Sequence, residues 1–243
     1  MTGLLEIEGL TKRFGGVTAV GDCSFAVPEG SVTALVGPNG SGKTTAFNLI
    51  TGYLRPDAGA IRFAGAHVRR PDPVRLARRG LTRTFQQARV FAELTLVQNM
   101  VAALQQPWRA ALRRALGPAE RTRALELLDE FGLAGLANEP AGNLSYGQKK
   151  LLEFAAVLMG EPRLVLLDEP TAGVNPVLVE RIEQRIRDLN AAGLTFLLVE
   201  HNMHLVMRLC DPVVVLDHGT KLAEGRPADV RNDPRVLDAY LGE

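Results

Sequence analysis

The sequence predicts an α/β fold, a parallel sheet covered by helices on both faces. Three observations carry that expectation. From Leu164 onward, strand-length apolar runs alternate with helical segments; a glycine-rich loop, Gly37 to Thr44, separates an apolar run from a helix; and the stretch from Leu96 to about Gly160 reads as helical, with no convincing strand. The chain has 243 residues, 46% hydrophobic and 23% charged, so it is globular and long enough for one large domain or a domain with a sizeable subdomain.

The elements follow in order. Leu4 to Leu10, Val17 to Val27 and Ser31 to Val36 read as strands, broken at Gly15-Gly16 and Pro28-Glu29-Gly30. A helix is expected from about Lys43 to Ile50, a strand over Ala60 to Ala64, a helix over Pro73 to Arg79 and a strand over Leu81 to Phe85. An inserted helical subdomain follows, with Leu125, Leu127, Leu128 and Phe131 near helical spacing. Strand Leu164 to Leu167, helix Pro176 to Asn190, strand Thr195 to Val199, helix Met203 to Leu209 and strand Val213 to Leu216 complete the sheet. The tail from Pro227 to Glu243 reads as short docked helices.

Composition narrows the function classes. Lys and Arg total 28 against 27 for Asp and Glu, a formal charge of +1 that offers no field for general nucleic-acid binding. Cys23 and Cys210 stand without metal-ligand spacing and read as small core residues of a chain in a reducing compartment. The start, with Glu6 and Glu8, lacks a secretion signal, and no apolar run is long enough to span a bilayer. The expectation is a cytoplasmic chain whose membrane role, if any, comes through a partner.

Gly37-Pro38-Asn39-Gly40-Ser41-Gly42-Lys43-Thr44 fits the phosphate-loop pattern in its required strand–loop–helix context. Glycines let successive N–H groups face inward, and the helix N-terminus adds a favourable dipole. Lys43 is expected at the β- and γ-phosphates of a nucleotide, Thr44 at Mg²⁺ and Thr45 at a phosphate. Leu164 to Leu167 ends in Asp168 and Glu169, at the strand end where open parallel sheets place ligand chemistry. Asp168 is expected to hold Mg²⁺ and Glu169 to deprotonate an attacking water; alone, such a pair also suits a helix cap or solvated edge. Ser145-Tyr146-Gly147-Gln148 opens a helix, either as a plain Ser cap or as a second anion cradle that serves another copy of the chain.

In their order these segments resemble the ATP-binding subunit of an ATP-binding-cassette transporter over essentially the whole length. The resemblance implies a P-loop nucleotide hydrolase, with a parallel-sheet core, an N-terminal antiparallel β subdomain (both within 1–95 and 161–243) and a helical subdomain at about 96–160. It places Phe14 where an aromatic stacks on adenine, Gly37 to Thr45 as the Walker A loop, and Gln86 as the Q-loop residue that touches Mg²⁺. Ser145 to Gln148 become the signature motif, Asp168 and Glu169 the Walker B aspartate and catalytic base, Ala172-Gly173-Val174-Asn175 the D-loop, and His201 the switch histidine. Taken singly, Phe14 suits core packing, Gln86 a polar loop and His201 a helix cap.

Tyr146 stands where many cassettes carry glycine, and Asn175 where aspartate is common. With the ending Ala239-Tyr240-Leu241-Gly242-Glu243, they resemble the ATPase of branched-chain amino acid importers. The implied partners are a second cassette, identical or a sister chain, and two transmembrane permease subunits. A solute-binding protein would act indirectly, and no nucleic acid is involved. The implied location is the cytoplasmic face of the cell membrane, held peripherally. Permease helices are expected between Gln86 and the helical subdomain, where Arg109, Arg113 and Arg114 flank Trp108; those arginines also suit a solvated helical face. Direct membrane insertion of Leu104 to Leu116 is disfavoured by Pro107. Alternatives are another cargo (urea or amide import, lipopolysaccharide export), a non-transport cassette ATPase, and a small-molecule phosphoryl transferase that would leave Ser145 to Gln148 and His201 unemployed.

Overall fold

The structure is a computed structural model that describes residues 3–104 and 117–241. Trp108, Arg109, Arg113, Arg114 and Pro107, and with them most of Leu104 to Leu116, lie outside the described residues.

Two sheets form the frame. Strands β1 (Leu5–Phe14), β2 (Val17–Val27), β4 (Ala58–Phe63) and β5 (Ala66–His67) make an antiparallel sheet in the order β2-β1-β4-β5. The second sheet has the order β10-β9-β3-β8-β7-β6, built from β3 (Val32–Val36), β6 (Leu81–Arg83), β7 (Leu164–Asp168), β8 (Thr195–Val199), β9 (Val213–Asp217) and β10 (Thr220–Gly225). Its five strands from β9 to β6 pair in parallel. β3, β7 and β8 are buried at every position, which is why they read as unbroken apolar runs.

Alternate residues of these strands feed two cores. Ala34, Val36, Val165, Leu167, Phe196 and Leu198 face a layer that includes the helices α3 (Leu96–Ala102), α4 (Pro118–Glu130), α5 (Tyr146–Leu158) and α6 (Pro176–Ala191). Leu35, Leu164, Leu166, Leu197 and Val199 face α1 (Lys43–Ile50) and the antiparallel sheet. Cys23 and Cys210 are buried free thiols, pushed by burial to about 11 and about 12, so the core reading of both holds.

Several expectations are corrected. The first strand runs to Phe14 rather than Leu10, because Phe14 pairs with Val17 across the Gly15-Gly16 turn. The fourth begins at Ala58 and ends at Phe63 rather than spanning Ala60 to Ala64, and the strand at Leu81 ends at Arg83 rather than Phe85. The segment after Leu96 is not uniformly helical: turns of 3₁₀ helix at Ala134–Leu136 and Ala141–Asn143 separate α4 from α5, and Thr95 forms an isolated bridge with Pro140. Leu125 is 36% exposed, whereas Leu127, Leu128 and Phe131 are buried.

Strand β10 was not foreseen. Only Ala223 is buried among its six residues, so it carries little apolar pattern, but its turn was readable. His218 and Gly219 both have positive φ, the geometry of a two-residue hairpin that pairs β10 antiparallel to β9. The remaining helices among the described residues are α2 (Pro73–Arg78), α7 (Met203–Leu209), α8 (Pro227–Arg231) and α9 (Pro234–Leu241).

Candidate functional site

β3 ends at Val36 and the chain curls at once into the loop before α1. Two glycines make the curl possible. A Cβ on Gly37, at φ +150°, would stand 2.0 Å from the carbonyl oxygen of Leu216, and one on Gly42, at φ +99°, would stand 2.5 Å from that of Ala19. Helix α1 has no side-chain cap and no acid in its first turn, so the positive end of its dipole is left uncompensated by the chain's own side chains. Lys43 is buried and donates to the carbonyls of Gly37 and Pro38, both at 2.7 Å, which stretches its ammonium across the loop. Asn39, Gly40 and Thr44 are exposed, Gly42 and Thr45 half-buried, and Pro38 and Ser41 buried.

Sheet register brings the acids to the same end. Leu35 pairs with Val199 and Val199 with Asp168, so the phosphate loop opens two residues beyond the row that contains Asp168. Asp168 Oδ2 accepts from Arg83 Nη2 at 2.8 Å, and its N–H donates to Thr84 Oγ1 at 3.3 Å. Burial pushes the Asp168 carboxyl up, and the Arg83 guanidinium opposes that push.

Glu169 sits in the left-handed region at φ +48°. Its N–H donates to the Val199 carbonyl at 2.9 Å and its own carbonyl accepts from Lys150 Nζ at 2.5 Å. Its carboxylate is held from both sides: Gln86 Nε2 donates to Oε2 at 3.0 Å, and His201 Nε2 stands 3.0 Å from Oε1. Glu169, His201 and Asn202 line an open cleft of about 610 Å³. Beneath His201 the buried Glu200 accepts from the backbone N–H groups of Thr171, His201 and Asn202 and from the Thr171 hydroxyl, so it fixes the turn that aims the imidazole.

Ser145 does cap α5, in a reciprocal capping box with Gln148. It is exposed at the helix N-terminus, whereas Gly147 is buried. A Cβ there would come within 2.5 Å of Leu178 Cδ1. Tyr146 packs its ring beside Gly173 and donates its hydroxyl to the Gln86 carbonyl at 3.4 Å. Asn175 caps α6 by accepting from the N–H of Leu178 at 3.0 Å. Phe14 is 47% exposed at the tip of the β1–β2 hairpin, so core packing does not explain it. Within one chain, then, Gln86, Asp168, Glu169 and His201 gather at the strand ends beside the phosphate loop. Tyr146 reaches this group through Gln86.

The model for the ABC transporter family matches residues 20–172, and that for the branched-chain amino acid ATP-binding cassette transporter matches residues 220–243. The high-affinity branched-chain amino acid transport ATP-binding protein BraF of Pseudomonas aeruginosa is 42% identical over 99% of this chain and 98% of its own length. This chain belongs to the ABC transporter family of ATP-binding cassettes. The ADP conformation of MJ1267, an ATP-binding cassette of an ABC transporter, matches all of both chains with a TM-score of 0.89 at 34% identity. A dimeric post-hydrolysis structure of the cassette MJ0796, bound to ADP and Pi, matches with a TM-score of 0.79 at 26% identity over 92% of this chain and 98% of that one.

The cassette is an ATPase of this family, and its fold is the P-loop fold expected. Arg83, Lys150, Glu153 and Glu200 are among the residues that escaped the sequence reading. Arg83 pairs with Asp168 and is stacked among Tyr53, Phe85 and Phe47. Lys150 and Glu153 were visible as charges among the apolar residues of α5, which was the available signal. Among the described residues no helix is long and apolar enough to cross a membrane.

Proposed function

We propose that this cassette powers an importer of branched-chain amino acids by binding and hydrolysing ATP between two cassettes. The observation that carries the reading is the carboxylate of Glu169, held by Gln86 and His201 beside a glycine-built loop. The cargo rests on likeness to BraF along almost the whole of both chains and on the match at residues 220–243.

Phe14 stacks on adenine, while Gly37, Pro38, Asn39, Gly40, Ser41, Gly42, Lys43, Thr44 and Thr45 surround the phosphates. The leading N–H groups of α1 and the Lys43 ammonium meet their charge. Thr44, Gln86 and Asp168 offer oxygen donors, the chemistry that suits Mg²⁺, an ion that is held largely by substrate phosphates and water besides one or two protein groups. Mg²⁺, when bound there, supplies neutralisation of the phosphate oxygens. Gln86 donates through its nitrogen to Glu169, which leaves its oxygen for the ion. Glu169 takes the proton of the attacking water, a contribution of about 10²- to 10⁴-fold, and His201 steadies the γ-phosphate.

Ser145, Tyr146, Gly147 and Gln148 meet the nucleotide of a second cassette, identical or a sister chain, with Asn175 near the seam. The exposed Ser145 and the dimeric MJ0796 structure support this arrangement. Two transmembrane permease subunits dock on a cavity of about 620 Å³ whose walls include Tyr53, Arg78, Phe85, Leu104 and Arg163, so the cassette is held peripherally at the cytoplasmic face. A solute-binding protein delivers cargo from the other side of the membrane. Reconstitution with co-purified permease subunits tests the cargo. Uptake of labelled leucine that requires ATP and Glu169 supports the reading, and uptake of urea or an amide instead of leucine refutes it.

A further inference from the structure

Helix α5 begins at the exposed Ser145 and carries Tyr146, Lys150 and Glu153 at spacings of four and three residues, hence on one face. Lys150 is 5% exposed and Glu153 7%, amid the buried Leu151, Leu152, Phe154 and Ala155. Two ionisable side chains buried in an apolar helix cost free energy unless their polar groups are used. Here both are used on the backbone of the catalytic segments. Lys150 Nζ donates to the carbonyl of Glu169 at 2.5 Å, at the residue whose backbone is left-handed.

A single oxygen of Glu153 accepts from the N–H of Phe85 at 3.3 Å and from that of Arg89 at 3.2 Å. These two donors bracket Gln86, so the carboxylate closes the loop that presents the Gln86 amide to Glu169. The hydroxyl of Tyr146 adds a bond to the Gln86 carbonyl. One helix face therefore grips the backbone on both sides of the contact between Gln86 and Glu169.

We propose that Lys150 and Glu153 are positioning residues for hydrolysis, which tie the aim of Glu169 and Gln86 to the helix that starts at Ser145. The proposal rests on Glu169 as the base. Displacement of α5 when Ser145 engages a nucleotide in the paired cassette would then move the catalytic base of the same chain, which joins the two sites through one rigid element. Neither residue touches substrate; both act through the backbone of residues that do.

The test is steady-state ATP hydrolysis by the full chain with Mg²⁺, comparing Lys150→Met and Glu153→Leu with Lys150→Arg and Glu153→Gln. Glutamine keeps the accepting oxygen and arginine keeps a long cationic donor. The expected result is a fall in kcat of about 10- to 100-fold for the two apolar variants, with KM for ATP within about threefold of wild type and kcat restored to within about threefold by the conservative variants. Should Glu153→Leu not fold, Glu153→Asp, with the charge kept and the reach shortened, replaces it with the same expectation. Unchanged kcat in the apolar variants overturns the proposal, as does a KM that rises in step with the loss or conservative variants as impaired as the apolar ones. Glu169→Gln serves as the control: normal hydrolysis in that variant would refute the base assignment itself.

Discussion

Arg83 Nη2 lies 2.8 Å from Asp168 Oδ2, with the two side chains only 6% and 5% exposed. The guanidinium also donates to Asn48 Oδ1 and Thr51 Oγ1, so it joins α1, which follows the phosphate loop, to the strand that ends in the acids. Burial pushes the Asp168 carboxyl up, and the Arg83 guanidinium is the largest influence that opposes it.

Removal of one partner from such a buried pair leaves an uncompensated charge. Arg83→Met is expected to lower unfolding free energy by about 3–5 kcal/mol, measured by denaturant titration, and Arg83→Lys to lose less because it keeps the charge without the fork. Equal stability of Arg83→Met and wild type would show that Asp168 does not depend on its partner.

Gly37 has no room for a side chain, since a Cβ would meet the Leu216 carbonyl at 2.0 Å. Gly37→Ala is expected to distort the loop and weaken ATP binding by at least about tenfold, about 1.4 kcal/mol, in a titration with a fluorescent ATP analogue. Full affinity in that variant would mean that the loop geometry is not what holds the phosphates.

Burial pushes the Glu153 carboxyl up from 4.5 to about 7, against the opposing pull of the Arg89 and Phe85 N–H groups and of the Lys150 and Arg89 charges. A raised pKa in the folded state means that the fold binds the proton more tightly than the unfolded chain. This contribution to stability is complete below about pH 4.5 and is lost as pH rises through about 7. Glu153→Gln, which cannot ionise, should show a smaller drop in Tm between pH 5 and pH 8 than wild type, by about the part of the slope that this one group supplies. An identical drop in both proteins would contradict the assignment.

The phosphate loop and the acidic strand end were legible because their constraints are local. Gly37 and Gly42 occupy backbone conformations that few other residues tolerate, and Asp168 and Glu169 come at the end of an apolar run of strand length, rich in branched residues. Arg83, Lys150 and Glu153 were not legible in their roles. Their partners lie 85, 19 and 68 positions away, and for the last two the partner is a backbone group that has no signature in sequence. Asn175 shows the opposite limit. Its residue type suits a helix cap and a contact across a seam equally well, and within one chain its oxygen serves as the cap. Strand β10 was missed because its faces are mostly exposed, so the period-two signal was absent.

Mixing Glu169→Gln chains with saturating ATP and Mg²⁺, followed by light scattering on a sizing column, tests most directly whether two half-sites meet over each nucleotide. The account predicts a stable particle of two chains that reverts to one chain when ATP is withdrawn. A particle that remains a single chain with ATP bound at Lys43 would contradict it.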